Sequence, residues 1–73
     1  MFKVYGKTGC TWCTAVVEFL EYQELPFDYI NLEESPEDME FIKDSGFNTV
    51  PQVFHEEDHI GGYEDTLRYV SSL

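Results

Sequence analysis

Short apolar runs alternate with acid-rich polar segments along this chain, and the period of the apolar positions changes from run to run. "FKVYG" (Phe2 to Gly6) is dominated by apolar and aromatic residues and ends in glycine, the pattern of a short buried strand. From Thr14 to Glu24 there is no glycine or proline. Ala15, Val16, Phe19, Leu20 and Gln23 fall there at helical spacing, which predicts a helix starting near Cys13. Pro26 stops that helix, and the alternation in "FDYINL" (Phe27 to Leu32) predicts a second strand. In "SPEDMEFIKDSG", Ser35 suits an N-cap, Pro36 the first helical position and the acids the first turn, while Gly46 closes a second helix.

After that helix, "PQVFHEEDHIGG" predicts a hairpin of two very short strands, Gln52 to Phe54 and His59 to Ile60, around the turn Glu56-Glu57-Asp58. Tyr63 to Leu73 places Tyr63, Leu67 and Val70 on one face, as a final amphipathic helix would. A strand-helix-strand unit followed by a helix, a hairpin and a helix assembles into a four-stranded mixed sheet with helices on both faces. The expected organisation is one α/β domain over 1–73, with elements in the order βαβαββα.

Composition narrows the picture. Seventy-three residues that are 42% hydrophobic and 16% aromatic, with three prolines and five glycines, describe a small folded globule. Fifteen acidic against four basic side chains give a net charge of −11, which repels phosphate backbones and anionic lipid, so nucleic acid is excluded as a partner. No basic stretch precedes an apolar run at the N-terminus. No segment approaches the roughly 18 apolar residues of a membrane span, so the expected location is the cytosol, with no membrane partner.

Candidate chemistry concentrates in "GKTGCTWC" (Gly6 to Cys13), which lies at the first strand-to-helix corner, where open α/β sheets gather ligands. A phosphate-binding reading of Gly6-Lys7-Thr8 needs a glycine five residues before Gly6, where Met1 stands. A metal reading has suitable residue types in Cys10, Cys13, His55 and His59. The two pairs, however, are much further apart in sequence than the dozen or so residues of a zinc finger. His55 and His59 also read as polar residues flanking an exposed hairpin turn, with no function assigned.

A redox reading requires one accessible thiol of lowered pKa and a second thiol placed to resolve a mixed disulfide, and a helix start supplies both. Cys10, just ahead of the helix, meets its positive dipole end and unpaired N–H groups, and Lys7 adds a cation three residues away. Cys13, one turn on, is more buried. A bridge across so short a loop does little to constrain the unfolded chain, so pairing would serve chemistry.

The strand, "GCTWC", "TVPQVF" and "IGGYED" at these distances resemble a glutaredoxin of the thioredoxin fold. The opening "MFKVYG" and closing "HIGGYEDTLRY" are most similar to the small glutaredoxins of large bacterial viruses, hydrogen donors to ribonucleotide reductase. The resemblance implies a thiol-disulfide oxidoreductase with Cys10 as nucleophile, Cys13 as resolving thiol and Pro51 as a cis-proline facing them. It implies that the Val50 backbone pairs with the cysteinyl part of glutathione or with a substrate chain, and that Thr49 borders the same groove. Tyr63, Glu64 and Asp65 then hold the γ-glutamyl end at a helix start, Gly62 allows close approach, and Trp12 offers an aromatic face beside the disulfide.

The implied partners are glutathione as reducing co-substrate and disulfide-bearing proteins, ribonucleotide reductase among them. No bound cofactor or metal is implied, and the chain is expected to be a monomer. Two departures stand out. Thr11-Trp12 replaces the Pro-Tyr found in many members, and Glu37 and Asp38 stand near the position where relatives carry a basic group for the glycyl carboxylate. Lys7 is then the only evident cation in the groove, and a redoxin reduced by thioredoxin reductase becomes the alternative.

Overall fold

The computed structural model describes every residue, Met1–Leu73. Four strands, β1 (Phe2–Gly6), β2 (Phe27–Asn31), β3 (Gln52–His55) and β4 (Asp58–Gly61), form one sheet in the order β2-β1-β3-β4. β1 pairs parallel with β2, and the other two pairings are antiparallel. The helices are α1 (Thr11–Tyr22), α2 (Pro36–Asp44) and α3 (Tyr63–Ser71), in the expected order. No helix is long and apolar enough to cross a membrane.

Alternation along β1 divides the interior. Phe2 and Val4 point to one face and pack with Val53, Val16 and Leu20, with Tyr63, Tyr69 and Val70 of α3 closing the cluster. Tyr5 points to the other face and meets Leu32 and Ile42, bordered by Phe47 and Phe54. Helices α1 and α3 therefore cover one face and α2 the other. Val4, Val16, Leu20 and Val53 are completely buried, each contributing about 1.5–3 kcal/mol by leaving water.

Several boundaries differ from the sequence expectation, each for a local reason. Helix α1 begins at Thr11 rather than near Cys13, because Cys10 itself serves as its N-cap. It ends at Tyr22, because Glu24 takes a left-handed conformation and Leu25 N–H turns back to the Leu20 carbonyl at 3.0 Å. Strand β2 stops at Asn31, whose side chain caps a 3-10 turn over Leu32–Glu34. In the hairpin only Glu56 and Glu57 form the turn, so His55, Asp58 and Gly61 join the strands.

Ser35 occupies the N-cap of α2, but its hydroxyl donates to the Asp38 carboxylate and accepts nothing from the backbone. In α3 the core-facing set includes Thr66, which is completely buried, with its hydroxyl donating to the Gly62 carbonyl at 2.8 Å.

Candidate active site

Three loops meet at one end of the sheet because of strand register. β1 runs outward to Gly6, β3 begins opposite Tyr5 at Gln52, and β4 ends with Gly61 opposite Val53. The segments leaving those ends, 7–10, 48–51 and Gly62, are therefore neighbours.

Cys10 closes the start of α1. Its backbone is extended, and its Sγ accepts from the Cys13 N–H at 3.1 Å. The two cysteines form a disulfide, with Cα atoms 5.2 Å apart. Cys10 is half-buried and Cys13 is 1% exposed. When the bridge is open, a Cys10 thiolate has that N–H donor and the positive helix end beside it, whereas burial favours the neutral thiol at Cys13.

The loop carrying Cys10 is tethered to the end of β2. Thr8 N–H donates to Glu33 Oε1 at 2.9 Å, and the Asn31 amide donates to Thr8 Oγ1 at 3.1 Å while accepting from Glu33 N–H. The Thr8 backbone N–H, followed by the Thr8 side chain, holds the Glu33 carboxyl below the usual carboxylate range, and the Lys7 charge adds less.

A cleft of about 440 Å³ opens at Trp12, a volume within the range of small-molecule sites. Its floor is Thr49, Val50 and Pro51, joined by a cis Val50–Pro51 peptide bond. Its far wall is Gly62, Tyr63, Glu64 and Asp65 at the start of α3. Trp12 is 58% exposed and packs against Tyr63 with ring centroids 5.2 Å apart. The cleft thus gathers eight of the residues singled out in the sequence. Lys7 lies outside it, lining two neighbouring hollows, one beside Cys13 and the other beside Thr49 and Val50.

Asp65 already has partners. It accepts from Gly62 N–H at 3.2 Å and from the Arg68 guanidinium at 2.6 Å, and these two donors, Gly62 first, hold its carboxyl below the usual range. Its first effect is to fix the turn from β4 into α3.

One residue beside the site carried no sequence signal. Gln52, which is buried, donates to the Thr49 carbonyl at 3.0 Å and shares a 2.7 Å hydrogen bond with His59 Nε2, bracing the loop before Pro51. His59 also stacks on Phe47. His55 stacks on Phe2 and shares a 2.6 Å hydrogen bond with the Tyr69 hydroxyl. His55 thus abuts the two-residue turn and His59 stands one residue beyond it in β4, each held by specific partners. No group of three or more His, Cys, Asp and Glu side chains is placed to hold a metal.

The charge expectation needs correction. Lys7 is not the only cation near the groove, since Lys43 lines the same hollow as Lys7, Thr49 and Val50. Glu37 and Asp38 line neither this hollow nor the main cleft. The reason is helical phase: Lys43 lies one turn beyond Met39, which faces the hollow.

A half-buried sulfur at a helix start, bonded to a buried one a turn later, can exchange disulfides with an incoming thiol or disulfide. Comparison with known proteins finds likeness in both sequence and fold. A family model described as glutaredoxin matches residues 2–60. The chain is 33% identical over 63 residues to the glutaredoxin-like protein NrdH of Lactococcus lactis subsp. lactis, covering 86% of this chain and 88% of that one. It is 37% identical over 68 residues to glutaredoxin 3 of Escherichia coli K12, covering 86% and 77%. Among solved structures, a buckwheat glutaredoxin-glutathione complex superposes with a TM-score of 0.80 at 27% identity, covering 97% of this chain and 68% of that one. The NrdH-redoxin of Escherichia coli superposes with a TM-score of 0.84 over 94% and 91% at 23% identity, a likeness of fold. With its Cys10–Cys13 pair at the start of α1, the chain belongs to the glutaredoxin family of thiol-disulfide oxidoreductases.

Proposed function

We propose that this chain uses glutathione to reduce protein disulfides and glutathione mixed disulfides, with ribonucleotide reductase among its protein substrates. The observation that carries the reading is the cleft running from Trp12 over Val50–Pro51 to the first turn of α3. In this account the Cys10 thiolate attacks a substrate sulfur and forms a mixed disulfide. Cys13 displaces the substrate thiolate by attacking Cys10, and two glutathione molecules reopen the resulting bridge, leaving as glutathione disulfide.

The cleft suits an extended thiol peptide. The Val50 backbone pairs with the cysteinyl unit as one step of an antiparallel ladder, Thr49 borders it, and Pro51 and Trp12 flank the reacting sulfurs. The γ-glutamyl carboxylate meets the N–H groups at the start of α3 beside Tyr63 and Glu64, with Gly62 leaving room and Asp65 fixing the turn. Lys7 and Lys43 face the glycyl carboxylate. A monomer in the cytosol, where thiols stay reduced, is part of the proposal.

A second reading, reduction by thioredoxin reductase, is favoured by charge. Glu64 and Asp65 line the main cleft and no lysine or arginine does, while glutathione is itself anionic. Coupled turnover of a disulfide substrate decides between them. Glutathione with its reductase should sustain steady turnover, and thioredoxin reductase alone should not. The opposite pattern would overturn the glutathione reading.

A further inference from the structure

Strand β2 places Tyr29 opposite Val4 in the parallel register, which turns its ring toward the face covered by α1. The ring is 42% exposed and lines a hollow behind the disulfide together with Cys13. The backbone at Gly6 is a neighbour that the Tyr29 hydroxyl and the Cys13 sulfur share. A β-carbon added at Gly6 would stand 2.5 Å from the Tyr29 hydroxyl and 2.8 Å from Cys13 Sγ. The two atoms therefore crowd the same point, closing in on residue 6 to a gap too small for even a methyl group.

We propose that the Tyr29 hydroxyl donates to the Cys13 thiolate and is the group that makes this buried sulfur a competent leaving group and resolving nucleophile. The proposal rests on the dithiol exchange described above, while its test does not depend on which reductant serves the protein. When a reductant thiolate attacks Cys10 Sγ, a sulfur-sulfur bond forms, the Cys10–Cys13 bond breaks, and the electron pair of that bond leaves on Cys13. Cys13 is 1% exposed, so water solvates this charge poorly, and a hydrogen bond to the charged form compensates. In the reverse sense the Cys13 thiol loses its proton to water in the hollow, and the same donor stabilises the thiolate that attacks Cys10.

The surroundings give the phenol this role. The charged groups lining the hollow are Lys7, Glu18 and Glu21, and of these only Lys7 favours a thiolate. Burial, and then the Glu33 charge, raise the Tyr29 hydroxyl above the ordinary phenol value. It stays protonated, and a donor, throughout the range in which thiols ionise.

The test is the thiolate absorbance of each cysteine alone, followed against pH. In a Cys10→Ser background, Tyr29→Phe should raise the Cys13 pKa by about one unit, a tenfold loss of thiolate at a given pH below it. In a Cys13→Ser background the same substitution should leave the Cys10 pKa where it was. An unmoved Cys13 pKa would overturn the proposal. An equal shift at both sulfurs would also overturn it, by showing a diffuse change of structure rather than one hydrogen bond.

Discussion

The two sulfurs of the Cys10–Cys13 bridge lie one helical turn apart and face different surroundings. The Cys10 side is a helix start, half-buried, with a backbone N–H aimed at the sulfur and an open cleft beyond Trp12. The Cys13 side is interior, sealed by β1 at Gly6 and bordered by Tyr29 of the edge strand. Identical side chains thus meet different surroundings from position alone, and the proposed division of labour, with the outer one meeting substrates and the inner one closing the bridge, rests on that difference. The fold achieves this with a single corner, where β1 delivers the chain into α1.

The largest expected effect tests whether that division of labour is real. Cys10→Ser should lose reduction of both protein disulfides and glutathione mixed disulfides, because no nucleophile remains. Cys13→Ser should lose only the protein disulfides, which need resolution within the same molecule. Turnover assays with the two substrate types check this, and equal losses in both variants would remove the distinction.

The glycines on the two sides sharpen the contrast at the level of stability. On the Cys13 side, Gly6→Ala would force a β-carbon against the Tyr29 hydroxyl and Cys13 Sγ, an overpacking expected to cost about 1–3 kcal/mol. On the Cys10 side, Gly9 has φ +79° with open space around its Cα. Gly9→Ala should therefore cost only the left-handed backbone, about 1 kcal/mol. Denaturant unfolding of the reduced proteins should rank the pair in that order.

Smaller effects belong to the charges around the outer side. Lys43→Glu should raise KM for glutathione a few-fold at low ionic strength, whereas Asp38→Lys, in a residue tied to Ser35 and outside both hollows, should change it less. The Lys43→Glu effect should shrink in about 1 M salt, where the Debye length falls to about 3 Å.

The smallest effect concerns the Thr8–Glu33 tether. Because folding lowers the Glu33 pKa, its stabilisation is present above the unfolded-state value and is lost as pH falls through the folded one. Glu33→Gln should therefore unfold slightly more easily than the parent at neutral pH. Melting curves should converge as the pH drops through and below the ordinary carboxylate range.

Much of this was legible in the sequence. Ser35-Pro36 and Gly46 bracket α2, the alternation in β1 and β2 marks strands, and the spacing of Cys10 and Cys13 before a helical run marks a redox corner. Apolar spacing alone puts the start of α1 too late, because Cys10 is not an ordinary capping residue, yet its sulfur accepts the bond that a serine oxygen would. Gln52, His59, Lys43 and Tyr29 depend on pairings that composition does not encode. Period two puts Tyr29 on one face of β2, but only the parallel register with β1 sets that face beneath Cys13. Lys43 reads as a basic group in the last turn of α2, and only the packing of that helix under the sheet brings it to the same hollow as Lys7.

The most direct measurement of the account is the rate of iodoacetamide alkylation at each thiol of the reduced protein, followed residue by residue against pH. Cys10 should react first, with a midpoint well below the value near 8.5 of a free thiol, and Cys13 should react slowly throughout. Equal rates at the two sulfurs, with midpoints near that free-thiol value, would contradict the assignment of nucleophile and resolving thiol.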